Sequence, residues 1–323
     1  MGDSVGHGRR HTPVHSVLAR GQRCLLAGWL AALLACLAWV GTGVATPWAW
    51  CAVLWLLGAH PLVLGVELLC ARLVHGDDPA PRPAWRELAR AWWIEWGWSL
   101  RVFAWQQPWR WRRLPDGQAP VPGRRAVVLV HGFLGNRGFW LPWLERLSAR
   151  GVPYVTLNLE PVFGSIDAYV PQIEAAVRRA EALTGERPLL VGHSMGGLAI
   201  RAWMAASAGA AARVAHVVTI GSPHGGTWLA RWSRTPNGRQ MRRQGDWLVA
   251  LGERERRLRP DGPYAGFTCW YANTDNVVFP ASTATLPGAD NRLLRGRPHI
   301  GLAFAPAVWA DVMARLSAPG RGG

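Results

Sequence analysis

The chain has 323 residues, 50% of them apolar and 10% aromatic, enough for a large core and incompatible with a disordered chain. Its 36 basic residues, every one an arginine, against 20 acidic ones give a formal charge of +16. The absence of lysine points to biased coding, and no block interleaves arginines with stacking aromatics on strands, so a nucleic-acid partner is excluded and an anionic membrane surface is the natural one.

The five cysteines, Cys24, Cys36, Cys51, Cys70 and Cys269, form no CxxC pair and no Cys/His ligand spacing, which predicts neither a disulfide framework nor a zinc site. No local cluster of acids suggests calcium, and no metal or cofactor is predicted.

Residues 1–23 read as a basic tail. His7, His11 and His15 recur at every fourth position, but Pro13 breaks the run and a solvated tail is expected. From Cys24 to Val66 there is no Asp, Glu or Arg over 43 residues. A bilayer needs roughly 20 residues per pass, so residues 24–74 are predicted to be a transmembrane hairpin, with passes near 24–44 and 48–70 and a Gly- and Pro-bearing turn between. Arginines flank both outer ends (Arg9, Arg10, Arg20, Arg23; Arg72, Arg82, Arg86, Arg90) and are missing from the turn. The positive-inside rule then puts both ends, and the rest of the chain, on the cytoplasmic side of a bacterial inner membrane. A cleaved signal peptide, or lipidation at the Leu33-Leu34-Ala35-Cys36 string, is the alternative. Glu67, near the end of the second pass, reads as an interfacial residue and not a proton carrier.

Residues 75–123 begin with a Pro-rich linker and continue into a Trp-rich helix. Trp85, Leu88, Trp92, Trp96, Leu100 and Phe103 repeat at helical spacing, and eight of the 21 tryptophans lie between Trp85 and Trp111. Two settings fit: a helix lying in the headgroup layer, or one packed on the domain that follows.

After Pro122-Gly123 short apolar runs alternate with helical ones, which predicts an α/β fold with a mostly parallel sheet over 124–317, followed by a tail at 318–323. Ala126–Val130, Val152–Leu159, Leu189–Val191, Val214–Ile220 and Phe267–Ala272 read as strands, and 167–184 as a helix stopped by Gly185. The decisive string is Gly192-His193-Ser194-Met195-Gly196-Gly197, a GxSxG motif between a buried-strand pattern and an apolar helical run. A serine on so sharp a turn adopts strained backbone angles, and the positions two residues either side must lack a Cβ. A helix N-terminus behind it offers amides to developing negative charge.

A serine nucleophile needs a base and a group that orients the base, here in the order Ser, acid, His. Of the downstream histidines, His216 lies inside a strand pattern and His224 comes too soon after the serine, which leaves His299. Among Asp246, Glu253, Glu255, Asp261, Asp275 and Asp290, only Asp275 directly follows a strand pattern; Asp290 is the runner-up. Ser194, Asp275 and His299 are therefore the predicted catalytic residues. The predicted oxyanion donors are the backbone amides of Met195, next to the serine, and of Phe133, in the loop His131-Gly132-Phe133-Leu134-Gly135.

Over about 124–317 the chain resembles the bacterial triacylglycerol lipases and esterases of the α/β-hydrolase superfamily. The resemblance rests on the 131–135 loop, the 192–197 motif, the Gly221–Thr227 string, Asp275 with Val277-Val278 and Pro280, and His299-Ile300-Gly301. It implies attack by Ser194 on an ester carbonyl, an acyl-enzyme, and hydrolysis with His299 as base. It also implies that an insertion near 228–262 forms a cap. Residues 231–259 hold nine Arg and three acids among Trp232, Trp247 and Leu248; a mobile basic lid and an ordinary solvated helix pair are the two readings. A membrane hairpin departs from many secreted lipases of this kind and favours lipid handled at the cell's own membrane. The expected function is a membrane-anchored serine carboxylester hydrolase with an acyl-ester or lipid substrate. Acyl transfer or thioester cleavage by the same residues, and a non-catalytic membrane interaction protein, are the alternatives.

Overall fold

A computed structural model describes residues 16–43, 47–117 and 120–317. The three N-terminal histidines and the C-terminal tail lie outside them. The chain begins with two long antiparallel helices, α1 (Val17–Gly41) and α2 (Pro47–Leu73), of 25 and 27 residues. At 1.5 Å per residue each is about 37–40 Å long, more than the roughly 30 Å hydrocarbon layer. Their surfaces are apolar and exposed, with Leu25, Leu34, Leu54 and Trp55 all uncovered, the reverse of a helix in water. Trp29 Nε1 donates to the Leu56 carbonyl at 3.0 Å and ties the pair together.

The Trp-rich segment is α3 (Trp85–Ser99), which continues directly into a π-helical stretch at Leu100–Arg110. The face it buries overlaps the apolar line read from the sequence only in part, at Leu88 and the half-buried Trp92. Leu88, Ala91, Glu95, Ser99, Val102 and Gln106 are buried, whereas Trp85, Leu100 and Phe103 are exposed. The helix turns Glu95 inward because a set of backbone N–H groups awaits it there, as described below. Trp98 stacks on Phe304 at 4.0 Å, and Trp85, Trp93, Trp105 and Trp109 remain on the surface.

The rest of the chain is a six-stranded parallel sheet in the order β2-β1-β3-β4-β5-β6. In chain order the elements are β1 (Val127–Val130), α4 (Leu141–Ala149), β2 (Tyr154–Thr156), α5 (Val170–Thr184), β3 (Leu189–His193), α6 (Met195–Met204), β4 (His216–Ile220), α7 (Pro236–Gln240), α8 (Asp246–Leu258), β5 (Phe267–Ala272), β6 (Asp290–Leu294), α9 (His299–Ala303) and α10 (Pro306–Ser317). The strands are apolar at nearly every position because both faces are covered, and alternation sends successive side chains to opposite layers. Ala126, Val128 and Val130 of the first strand region join Leu190, Val217, Phe267 and Cys269 under α5 and α6. Val127 and Leu129 join Val191, Val218, Ile220 and Trp270 under α4, α9 and α10. Residues His299–Ser317 are apolar and long enough to count as a third membrane span, yet 44% of that stretch is buried in the fold, against 6% for α1 and 17% for α2. Ile300, Leu302, Val308 and Val312 are core residues, so α9 and α10 belong to the α/β unit.

The last strand, β6, has no counterpart in the sequence reading. It is an edge strand, and its residues Asp290-Asn291-Arg292-Leu293-Leu294 are exposed or half-buried, which matches their partly polar character. The insertion at 228–262 is a short helical turn at Trp228–Trp232 followed by α7 and α8. Its Glu255 is fully buried and meets Arg201 of α6 at 2.6 Å, with Tyr264 Oη donating to the same carboxylate at 2.6 Å. That fastening anchors α8 to the helix behind Ser194.

Candidate active site

Ser194 stands at the turn from β3 to α6 with φ 55° and ψ −130°, a conformation rare for a residue with a side chain. The turn demands its glycines. A Cβ on Gly192 would lie 2.8 Å from the Gly197 nitrogen, and one on Gly196 would drive into the carbonyls of Val130 and His131. The Ser194 N–H donates to the Ile220 carbonyl at 2.9 Å, which holds the turn against the end of β4. Gly221, one residue on, lies against the two other predicted residues: a Cβ there would meet Asp275 Oδ2 at 2.9 Å and His299 Nδ1 at 3.2 Å.

Asp275 and His299 are in direct contact, Nδ1 to Oδ2 at 2.9 Å, and both are buried. Asp275 Oδ1 accepts from the N–H groups of Val277 at 2.9 Å and Val278 at 2.7 Å, so the loop after β5 holds the carboxylate by its other oxygen. The pairing uses Nδ1 and leaves Nε2 as the nitrogen that can take a proton from a neighbouring hydroxyl. Burial works to lower the His299 pKa, but the Asp275 carboxylate, with Glu95 and Glu67 behind it, outweighs burial and raises it above the ordinary value. Asp290, the alternative acid, lies elsewhere: it sits half exposed at the start of β6, paired with Arg292 at 2.7 Å and Arg315 at 3.3 Å.

The loop after β1 covers the serine. A Cβ on Gly132 would lie 2.6 Å from Ser194 Cβ. His131 is buried and its pKa is pushed down to about 4 by that burial, so the ring is neutral. Its Nε2 accepts from the Leu159 N–H at 3.0 Å, which puts the proton on Nδ1, where it is donated to the Gly132 carbonyl at 2.8 Å. The Gly135 N–H donates to the same carbonyl at 3.2 Å. In a trans peptide the C=O and the following N–H point in opposite directions. Fixing the Gly132 oxygen therefore fixes the Phe133 N–H on the other side. Met195 opens α6 immediately after the serine, where the first amides of a helix have no intrahelical partner.

Five contributors were not read from the sequence. Glu95, on α3, is 1% exposed and accepts from the Ile300 N–H at 2.9 and 3.0 Å and from the Gly301 N–H at 3.1 Å. Desolvation pushes its pKa up to about 7 despite these hydrogen bonds and the nearby His299. Ile94 closes on Gly301 so tightly that a Cβ there would approach Ile94 Cγ2 to 2.6 Å. Glu67, on α2, accepts from Asn276 Nδ2 at 2.7 Å, and Asn276 Oδ1 accepts from the His299 N–H at 3.1 Å. His193, inside the GxSxG motif, donates from Nε2 to the His299 carbonyl at 3.1 Å. Burial drives its pKa well below the ordinary value, so the ring stays neutral. The backbone from His299 to Gly301 is thus held from several sides, by Glu95 of α3 directly and by Glu67 of α2 through Asn276. The only sequence signal for Glu95 was a lone carboxylate amid tryptophans. The other two downstream histidines are structural: His216 bonds Thr268 Oγ1 at 2.9 Å, and the buried His224 bonds Thr219 Oγ1 at 3.0 Å. Among the described residues no cluster of three or more His, Cys, Asp or Glu could hold a metal ion.

The sequence profile of the Alpha/beta hydrolase family matches residues 127–318. The match covers more than half of the chain, and the protein belongs to this family. Among solved structures, the mature form of the Bacillus licheniformis lipase BlEst2 is similar at a TM-score of 0.52 and 18% identity, over 63% of this chain and 96% of the other. Lipase B of Aspergillus fumigatus is similar at 0.53 and 17% identity, over 96% of this chain and 83% of the other. At such identities the likeness is one of fold. No curated protein matches the chain.

Proposed function

We propose that the protein is a membrane-anchored serine carboxylester hydrolase that cleaves acyl esters of lipids, with Ser194, Asp275 and His299 as its catalytic triad. The observation that carries this reading is the buried 2.9 Å Asp275–His299 pair lying against Gly221, beside a serine held at φ 55°. His299 Nε2 takes the Ser194 proton as Oγ attacks the ester carbonyl. The carbonyl oxygen, now negative, is received by the N–H groups of Met195 and Phe133. As the tetrahedral intermediate collapses, His299 returns the proton to the departing alkoxide and leaves an acyl group on Ser194. Water, deprotonated by His299, then attacks the acyl carbonyl, and the same cycle releases the carboxylic acid and restores the serine. Asp275 holds the imidazole in its Nδ1–H tautomer and stabilises the imidazolium formed in both halves.

In this reading α1 and α2 form the bilayer hairpin, residues 124–317 are the catalytic domain, and the arginines at both outer flanks of the hairpin set that domain on the cytoplasmic side. The test is labelling by a fluorophosphonate, run beside turnover of p-nitrophenyl esters of short and long acyl chains. Wild type labels and turns over, while Ser194→Ala does neither at an unchanged melting temperature. A folded wild type that neither labels nor hydrolyses any ester overturns the reading.

A further inference from the structure

Alongside the loop that covers Ser194 runs an apolar cavity of about 580 Å³. One wall is the first three turns of α1, at Leu18, Gly21 and Leu25; the other is Leu134 with Val162 and Phe163. Resting on the hydrolase reading above, we propose that this cavity is the seat of the acyl chain of a bilayer lipid, with one wall supplied by the membrane helix itself.

Position is the first support. Leu134 adjoins Phe133, whose N–H is assigned to the oxyanion, and the Phe133 ring meets that of Phe163 edge to face at 5.8 Å. Gly132, one residue earlier, touches Ser194. An ester carbonyl seated at Ser194 therefore has one of its two arms next to this wall, and that place is assigned to the acyl arm. At the other end, Leu25 opens the charge-free run that begins at residue 24, so the cavity meets the bilayer where α1 enters it.

Chemistry is the second. Leu25, Phe163 and Leu134 are 75%, 53% and 39% exposed, an apolar surface that water covers poorly and a hydrocarbon chain covers well. The volume lies within the roughly 300–1,000 Å³ of small-molecule sites. Glu160, at the rim, is already engaged by the Val17 N–H at 2.9 Å. The competing occupant would be the chain's own residues 1–15, but Met1-Gly-Asp-Ser-Val-Gly-His-Gly-Arg-Arg-His-Thr-Pro-Val-His15 is mostly polar or charged and ill matched to such a wall.

A Cβ at Gly21 meets nothing within 4 Å, so α1 accepts a side chain there, and Gly21→Phe sets a ring on the cavity wall. The experiment uses the full chain in phosphatidylglycerol-containing vesicles and compares kcat/KM for p-nitrophenyl butyrate and laurate. Burial of each methylene is worth about fourfold in kcat/KM, so wild type favours laurate strongly. Gly21→Phe and Val162→Trp cut the laurate-to-butyrate ratio at least about tenfold, whereas Leu30→Phe, farther along α1 and outside the cavity, keeps the wild-type ratio. A fluorophosphonate with a diazirine at the end of a long alkyl chain, once attached to Ser194, crosslinks to Leu18, Leu25 or Phe163. An unchanged ratio in both cavity variants, or crosslinks elsewhere, overturns the proposal while labelling at Ser194 leaves the hydrolase reading standing. Deleting residues 2–15 leaves the ratio unchanged; a rise in laurate turnover on deletion would make that segment the occupant and equally overturn the proposal. Failure of the probe to label any folded form would instead strike the hydrolase reading.

Discussion

The α/β unit and the N-terminal helices treat apolar surface in opposite ways. The sheet hides it: Val127, Val128, Leu129 and Val130 are all fully buried between two helical layers. The helices α1 and α2 display it, and both are long and apolar enough to cross a membrane. With polar groups the order reverses. The hairpin and α3 carry few carboxylates, and two of them, Glu67 and Glu95, are turned toward the loops that bear Asp275 and His299. The N-terminal region thus completes the hydrogen-bonding of the backbone around the histidine.

Four substitutions break or sharpen that contrast. The largest effect belongs to the sheet side. Ser194→Ala abolishes ester turnover, a loss on the order of 10⁵-fold or more by analogy with serine hydrolases at large, and leaves thermal stability unchanged or higher because Ala retains the fold; activity assay with differential scanning calorimetry checks both. Asp275→Asn comes next, with a fall on the order of 10³–10⁴-fold in kcat. The wild-type acid limb lies above the ordinary histidine pKa, since His299 must be neutral to act and its pKa is raised. Loss of the Asp275 charge moves that limb downward in a pH–kcat/KM profile.

The third substitution tests the N-terminal side. Glu95→Gln removes a charge that accepts two backbone N–H groups, and kcat falls about 10- to 100-fold, as expected for one charge-assisted bond, with KM little changed. It also carries a stability signature. A carboxyl raised from 4.5 to about 7 in the fold binds protons there that the unfolded chain has released. Stability therefore falls as pH climbs from 4.5 to about 7, by at most on the order of 3 kcal/mol for this group. His299, also raised, contributes in the same direction: its share is present below the unfolded pKa and lost as pH rises through the folded one. Thermal melts from pH 4.5 to 8 should show this decline in wild type, and a shallower one in Glu95→Gln. A kcat equal to wild type would sever α3 from the site. The smallest effect is that of Glu67→Gln, whose amide still accepts from Asn276 and lowers kcat only a few-fold, consistent with a bond one step removed from His299; steady-state kinetics with a single ester suffices.

Much of the fold was legible because its signals are local. The strand at 189–193 ends in Gly192-His193-Ser194-Met195-Gly196, and sterics at the turn demand those glycines. Asp275 stands out because it follows a buried strand directly. Other features were hidden for equally physical reasons. β6 is an edge strand with no fully buried residue, and its pattern is half polar. The stripe Trp85, Leu88, Trp92, Trp96, Leu100, Phe103 gave no sign of the second buried face of α3, where Glu95 meets the amides of Ile300 and Gly301, some 200 residues away.

The amino-acid sequence by itself determined the class of fold, the hydrophobic hairpin and the order serine, acid, histidine, since each rests on near-neighbour sterics, on hydrophobic periodicity or on an uninterrupted run without charge. Tertiary structure alone decided that Asp275 and not Asp290 meets His299, that His131 is neutral with its proton on Nδ1, and that helices from the first third of the chain reach the last turn of the site. Those outcomes depend on desolvation and on hydrogen bonds between residues far apart in sequence, and no local pattern of residue types encodes which distant partners a buried carboxylate will find.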